Sequence, residues 1–233
     1  MLKKISKYII SLILCLVILP IQAQKKGKHI EQKTDSVKVN LYNGFTVYGD
    51  IASVASSLFS KGTTYSYESA LQVDLLHKYY PIFELGLAGA NKFSNDNIGF
   101  NTNALFGRLG IDFNLQKKKK DSKPINNMFQ AGLRLGMSNF RYNITNVVIT
   151  DNYWGGTEAI PYNNISTTKM WFEIIAGVRV EIAKNIYMGW SVRNKNLLSK
   201  DVANSPNPWY IPGFGVNSGN SNWAINYVLG YHF

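Results

Sequence analysis

The segment Trp223 to Phe233 alternates without a break, and this constrains the fold more than any other feature of the chain. Trp223, Ile225, Tyr227, Leu229, Tyr231 and Phe233 share one face at period two, while Ala224, Asn226, Val228, Gly230 and His232 share the other. One face is large and apolar, the other small or polar. That is the pattern of a strand with lipid on one side and a crowded polar lumen on the other. The same parity recurs upstream. Residues 186 to 193 oppose Ile186, Met188, Trp190 and Val192 to Tyr187, Gly189, Ser191 and Arg193. Residues 172 to 182 oppose Phe172, Ile174, Ala176, Val178, Val180 and Ile182 to Glu173, Ile175, Gly177, Arg179 and Glu181, and residues 129 to 138 oppose Phe129, Ala131, Leu133, Leu135 and Met137 to Gln130, Gly132, Arg134, Gly136 and Ser138.

Four shorter stretches complete the set. Leu105 to Leu115 carries Arg108, Asp112 and Asn114 on its polar face, and Phe83 to Gly89 carries Glu84. Leu71 to Leu75 carries Gln72 and Asp74, with Glu68 just before it, and Phe45 to Ile51 carries Tyr48 and Asp50. These spans predict an all-β, eight-stranded antiparallel transmembrane β-barrel with up-and-down meander connections. An even strand count returns the last strand to the side where the first began. Short turns are expected at His77 to Pro81, Gln116 to Asn127 and Ala183 to Asn185. Long polar loops are expected at 140 to 168 and 194 to 222, with shorter ones near Ser60 to Thr64 and Asn91 to Asn97.

The terminal strand resembles that of the outer-membrane β-barrels of Gram-negative bacteria, which carry alternate apolar residues and end in an aromatic, usually Phe. Leu229, Tyr231 and Phe233 match that signature, and the resemblance implies recognition by the barrel-assembly machinery during insertion. A soluble eight-stranded lipocalin-like barrel would use the same period with the opposite sense, charge outward and apolar side chains inward. Size favours the membrane form: small Gly and Ala accompany the charges, whereas Trp190, Phe172, Phe113 and Phe83 belong to the apolar face, and a large face belongs outside a narrow cylinder.

The amino-terminal residues point to the same compartment. Lys3, Lys4 and Lys7 precede an apolar run from Tyr8 to Leu19 and then Pro20 to Ala23, the three regions of a secretory signal with cleavage after Ala23. The run is shorter than the ~20 residues a membrane helix needs. Cys15 lies within it and follows Leu14, not the small residue of a lipoprotein site, so residues 24 to 233 hold no cysteine for a disulfide or a metal. Loss of the segment lowers the net charge from +11 to +8, an excess that in an exported chain signals no nucleic acid. The domain reading is a signal peptide at 1–23, a flexible basic periplasmic tail at 24–43 and the barrel at 44–233. Asp35-Ser36-Val37 resembles a short acceptor motif for O-glycosylation of exported proteins in Bacteroidota.

The inward parity gathers Asp50, Glu68, Asp74, Glu84, Asp112, Glu173 and Glu181 with Arg108, Arg134, Arg179 and Arg193. Charges persist in a low-dielectric cylinder when paired and hydrogen-bonded, and the planar Arg fork can bridge two carboxylates. The set reads as a structural ion-pair plug, or as a proton or ion path. Catalysis has little to draw on: His29 is in the tail, His77 and His232 fall at the periplasmic rim, and no Ser lies within two positions of any of them. No cofactor or metal ligand set is indicated.

Outside the lumen, the expected outer loops hold Tyr142, Tyr153, Trp154, Tyr162, Trp209, Tyr210 and Phe214, either as partner-contact area or as loop self-packing and aromatic girdle. Lys117, Lys118, Lys119, Lys120 and Lys123 form a basic turn that is either simply solvated or attracted to anionic headgroups, peptidoglycan carboxylates or an acidic partner. In composition and loop lengths the chain resembles uncharacterised small barrels of Bacteroidota within the OmpA-like, OmpX-like and OmpW-like group. Three functional classes follow: a non-enzymatic barrel whose loops or wall bind a partner, an accessory subunit docked on another outer-membrane protein, and a lipid-modifying enzyme or small-solute channel. The mature protein is predicted to begin at Gln24 and to fractionate with outer membranes, with heat-modifiable mobility in gels; recovery in the soluble periplasmic fraction would contradict the reading.

Overall fold

The computed structural model describes residues 40–60, 62–116, 127–151, 156–199 and 205–233. The signal segment with Ala23, nearly all of the tail, and Lys117 to Lys120 with Lys123 lie outside the described residues. The wall is built from β1 (Tyr42–Asp50), β2 (Thr64–Leu75), β3 (Tyr79–Phe93), β4 (Gly99–Asn114), β5 (Met128–Asp151), β6 (Gly156–Ala183), β7 (Ile186–Leu197) and β10 (Ser221–His232). A helix, α1 (Ile51–Phe59), follows β1, and two short strands, β8 (Tyr210–Ile211) and β9 (Gly215–Val216), form a small hairpin between β7 and β10. The eight wall strands close as an antiparallel meander, β10 pairing with both β7 and β1.

Each wall strand contributes a large apolar side chain to the outside: Val47, Leu71, Leu85, Leu109, Leu135, Ile174, Trp190 and Ile225 are between 43% and 72% exposed. The inner positions beside Leu85, Leu109, Leu135 and Ile174 are charged and buried, with Glu84 and Arg108 at 2% and 1%; those beside the other four are small or polar. A soluble barrel would require the inverse, since a continuous apolar belt of this kind has no stable arrangement in water. The chain is therefore a transmembrane barrel of outer-membrane type. Among the described residues no helix is long and apolar enough to cross a membrane, and the crossing is made by strands.

The strands are longer than the alternation of apolar and polar residues suggested. The expected loop at 140–168 is mostly strand, because β5 runs to Asp151 and β6 starts at Gly156, and the expected loop at 194–222 begins only after Leu197. The backbone alternation continues there, but the outward positions turn polar above the belt, at Asn101 and Asn103, Asn139 and Arg141, and Ser166 and Thr168, all exposed. β1 begins at Tyr42, inside the segment read as tail. The helix α1 had no counterpart in the strand reading. It forms because 51–59 has apolar residues at 51, 54, 55 and 58 and serines at 53, 56 and 57, a helical period. Asp50 caps it, accepting from the amides of Ala52 at 2.9 Å and Ser53 at 3.4 Å.

Closure rests on the β1–β10 seam. Phe233 N donates to Phe45 O at 2.8 Å, their rings stack at 5.0 Å, and Tyr231 packs edge-on against Phe233 at 4.7 Å. Leu229, Tyr231 and Phe233 all face outward on this seam. Deleting Phe233 removes both the backbone bond and the stack, and should lower the amount of folded, membrane-inserted barrel without lowering synthesis or export. Quantifying the heat-modifiable band checks this; wild-type levels would contradict it.

Candidate functional site inside the barrel

Inward parity brings side chains from non-adjacent strands into one cluster at the barrel's middle. Glu84 on β3 is its centre. Its Oε2 accepts from Arg108 Nη1 at 3.0 Å and Arg193 Nη1 at 2.7 Å, and its Oε1 from Arg134 Nε at 2.9 Å and Arg193 Nη2 at 3.2 Å. Arg134 extends the network to Asp112, donating through Nη2 at 2.8 Å, while Arg108 donates to Glu68 at 2.8 Å. Glu173 lies 2.8 Å from Arg108 Nε and accepts from Arg193 at 3.2 Å and from the Trp171 indole at 2.7 Å. Room for these groups comes from glycine: a Cβ at Gly132 would meet the Asp112 carboxylate, and one at Gly136 the Trp171 indole.

Above this layer the connection between β7 and β10 folds back into the mouth. Phe214 N donates to Ile211 O at 3.0 Å across Pro212 and Gly213, and Gly213 has φ +82°, the arrangement of a type II turn. The turn delivers the Gly213 carbonyl to two cations: Arg108 Nη2 and Lys195 Nζ each donate to it at 2.7 Å. Phe214 packs edge-on against Trp171 at 6.1 Å, and Ile211 and Tyr210 join Phe106, Phe140 and Tyr142 in an apolar cluster. Burial lifts the pKa of the Tyr210 hydroxyl to about 12. Tyr142 on the wall, and Tyr210 and Phe214 on the plug, are therefore buried packing residues of this cluster and not exposed contact area; Tyr153 and Trp154 lie outside the described residues.

Four of the expected lumen charges stand outside the central cluster. Arg179, lower in the barrel, meets no carboxylate among the ion pairs of the described residues; it donates to Gln72 Oε1 at 2.5 Å and to the Tyr48 hydroxyl, with the Tyr80 and Tyr187 rings 5.0 and 5.2 Å away. Gln72 relays it to the network by donating to Asp112 at 2.8 Å. Asp50 caps α1, Asp74 holds His77 at 2.6 Å, and Glu181 accepts from the Asn185 amide at 3.0 Å at the rim. Polarity alone did not separate these roles, because a carboxylate at a strand end can cap as well as pair. Conversely, Lys195, Lys169, Trp171 and Gln72 belong to the buried interior but were not among the expected site residues. For Lys195 the signal was present, since parity continues from Ser191 through Arg193 to position 195.

The two described histidines are structural ties. His77 bonds Asp74 in a tight turn whose Leu76 and His77 both have positive φ, and His232 bonds Thr46 Oγ1 at 2.9 Å and Asn43 O at 3.0 Å across the closing seam. Among the described residues no group of His, Cys, Asp and Glu could hold a metal ion. Two cavities among the described lumen residues are water-sized, about 20 Å³ beside Asp50 and about 50 Å³ beside Arg179.

Residues 5–233 match the family model described as Domain of unknown function (DUF6048). No curated protein matches the chain. Among solved structures it is similar to neisserial surface protein A, at 10% identity and a TM-score of 0.42, over 82% of this chain and 99% of that one. It is also similar to Ail, the attachment invasion locus protein of Yersinia pestis, solved in complex with the heparin analogue sucrose octasulfate. That match has 8% identity and a TM-score of 0.38, over 81% of this chain and 95% of that one.

Replacing Glu84 by Gln leaves three buried guanidiniums short of their shared carboxylate and should cost about 3–5 kcal/mol of stability. Glu181→Gln, at the partly exposed rim, should cost less than about 1 kcal/mol. Urea unfolding in lipid vesicles, followed by loss of the heat-modifiable form, reads both; equal effects would contradict a network centred on Glu84.

Proposed function

Since the chain belongs to the DUF6048 family, a domain of unknown function, its role is read from its own surfaces, and we propose that it is a non-enzymatic outer-membrane barrel that binds a protein partner through the arm formed by β5 and β6. One observation carries this reading: β5 has 24 residues and β6 has 28, paired from Met128–Arg179 to Asp151–Gly156, whereas a transmembrane strand needs only ~9–11. The surplus projects beyond the lipid belt, where its outer face carries Asn139, Arg141, Ser166 and Thr168.

The arm also offers a strand edge. β6 pairs with β7 only as far as Trp171–Leu197, and among the described residues no strand takes the β7 side of β6 from Gly156 to Thr168. An unpaired edge of this length is a template for an extended segment of another chain, main-chain bonds supplying affinity and alternate side chains specificity. Pro161 within the edge and the register shifts between Tyr142, Ile144 and Val147 blunt it against indiscriminate pairing. The filled lumen and the rim-bound histidines support a binding role over transport or acyl chemistry. The lipid belt is the contact with membrane lipids.

Shortening the arm by joining Tyr142 to its partner Ile165 through an Asn-Gly turn tests the reading. The shortened barrel should still fold and be heat-modifiable, and a mild-detergent pull-down with mass spectrometry should lose the proteins that the full chain retains. An outer-membrane protein among those lost would point to a subunit of a larger assembly. The same set retained by both forms would overturn the proposal.

A further inference from the structure

The barrel wall changes material halfway along its first strand. β1 pairs with β2 only as far as Gly49–Ser69 and with β10 only as far as Asp50–Val228, yet β2 continues to Thr64 and β10 begins at Ser221. The gap between these two edges is one strand wide, and α1 fills it. The residues of α1 could not do so as a strand. Continuing the parity from inward Asp50 would turn Ser53 and Ser57 to lipid and Val54 and Leu58 to the lumen. As a helix they sort correctly: Ile51, Val54, Leu58 and Phe59 are exposed, and Ser53 and Ser57 are buried.

The panel is held by hydroxyls and one carboxylate. Ser57 Oγ accepts from Ser66 N at 2.9 Å and lies 3.2 Å from Ser66 O, and Ser60 Oγ donates to Thr64 O, so the serines stand in for the missing strand along β2. On the other side Asp50 accepts from Tyr227 N at 3.3 Å and from the Asn226 amide, which ties the base of the helix to β10. Asn226 Oδ1 is buried with no hydrogen-bond partner at this junction. α1 buries no large apolar side chain, and its apolar face already meets lipid, so swinging outward in the bilayer forfeits no hydrophobic burial.

We propose that α1 is a lateral gate, hinged at Asp50, that opens a port between the bilayer and the lumen beside the cavity bounded by Tyr48, Asp50, Glu68, Ala70, Arg193 and Asn226. The port lies in the half of the wall nearer the long connections. Among the described residues, the bonds that opening breaks are those of the serines to β2 and of Asp50 to β10, while the strands of the closed meander stay paired.

Two measurements test it. In the wild-type barrel in lipid vesicles, the amides of α1 should exchange hydrogen about tenfold or more faster than those of β3 to β6. In an Ala70→Cys variant, the thiol introduced on the inner face of β2 should react with a bilayer-partitioned maleimide, and adding Ser57→Ala should speed that reaction while the barrel stays heat-modifiable. Exchange of α1 as slow as that of β3 to β6 would overturn the proposal without any variant. So would reaction at position 70 with a water-soluble maleimide alone, which places access at the mouth, or a lipid-phase rate unchanged by Ser57→Ala.

Discussion

Three arginines share the carboxylate of Glu84, and the rest of the barrel is arranged so that they can. Moving that many charges out of water costs several kcal/mol per ion, which is recovered only when each is paired and hydrogen-bonded. The cluster meets this by balance: Glu68, Glu84, Asp112 and Glu173 face Arg108, Arg134, Arg193 and Lys195. Because the partners come from β2, β3, β4, β5, β6 and β7, the network forms only when the meander is closed and in register. A slip of one residue in any strand would turn its charge to lipid and its apolar side chains to the lumen.

The network also determines what the lumen can do. Its upper boundary is the Gly213 carbonyl, a neutral acceptor supplied to two cations by a loop whose Ile211, Pro212 and Phe214 are buried in the mouth. Its lower boundary is Arg179 among tyrosines, joined to the centre through Gln72 and Asp112. A column of paired charges tied at both ends is suited to holding a wall rigid. The binding role proposed above therefore rests on the projecting arm, outside the cylinder, and the proposed gate on the stretch of wall where a helix replaces a strand.

Much of this was legible from alternation alone. Strand number and order follow from the alternation, and facing follows once side-chain size is added, because small Gly and Ala share a face with charges such as Glu84 while Phe83 and Leu85 share the large one. The signal weakens where both faces are polar, so the upper halves of β5 and β6 read as loop although their backbones stay extended. It misleads at α1, where Ile51 continues the strand pattern and only the serine spacing that follows reveals the helix. The fate of individual charges needs the third dimension: Asp50, Asp74 and Glu84 are all inward carboxylates on wall strands, yet the first caps a helix, the second fixes a turn and the third gathers three arginines.

The account depends on which face of the wall meets lipid, and a thiol scan along β6 from Met170 to Glu181 in lipid vesicles tests it most directly. With a fluorophore at each position in turn, lipid-borne quenchers should act at 172, 174, 176, 178 and 180 and fail at 171, 173, 175, 177 and 179, so that Val178 and Arg179 differ most plainly. Quenching in the opposite phase would place the charges outside and the apolar belt inside, and the membrane barrel would give way to a soluble one.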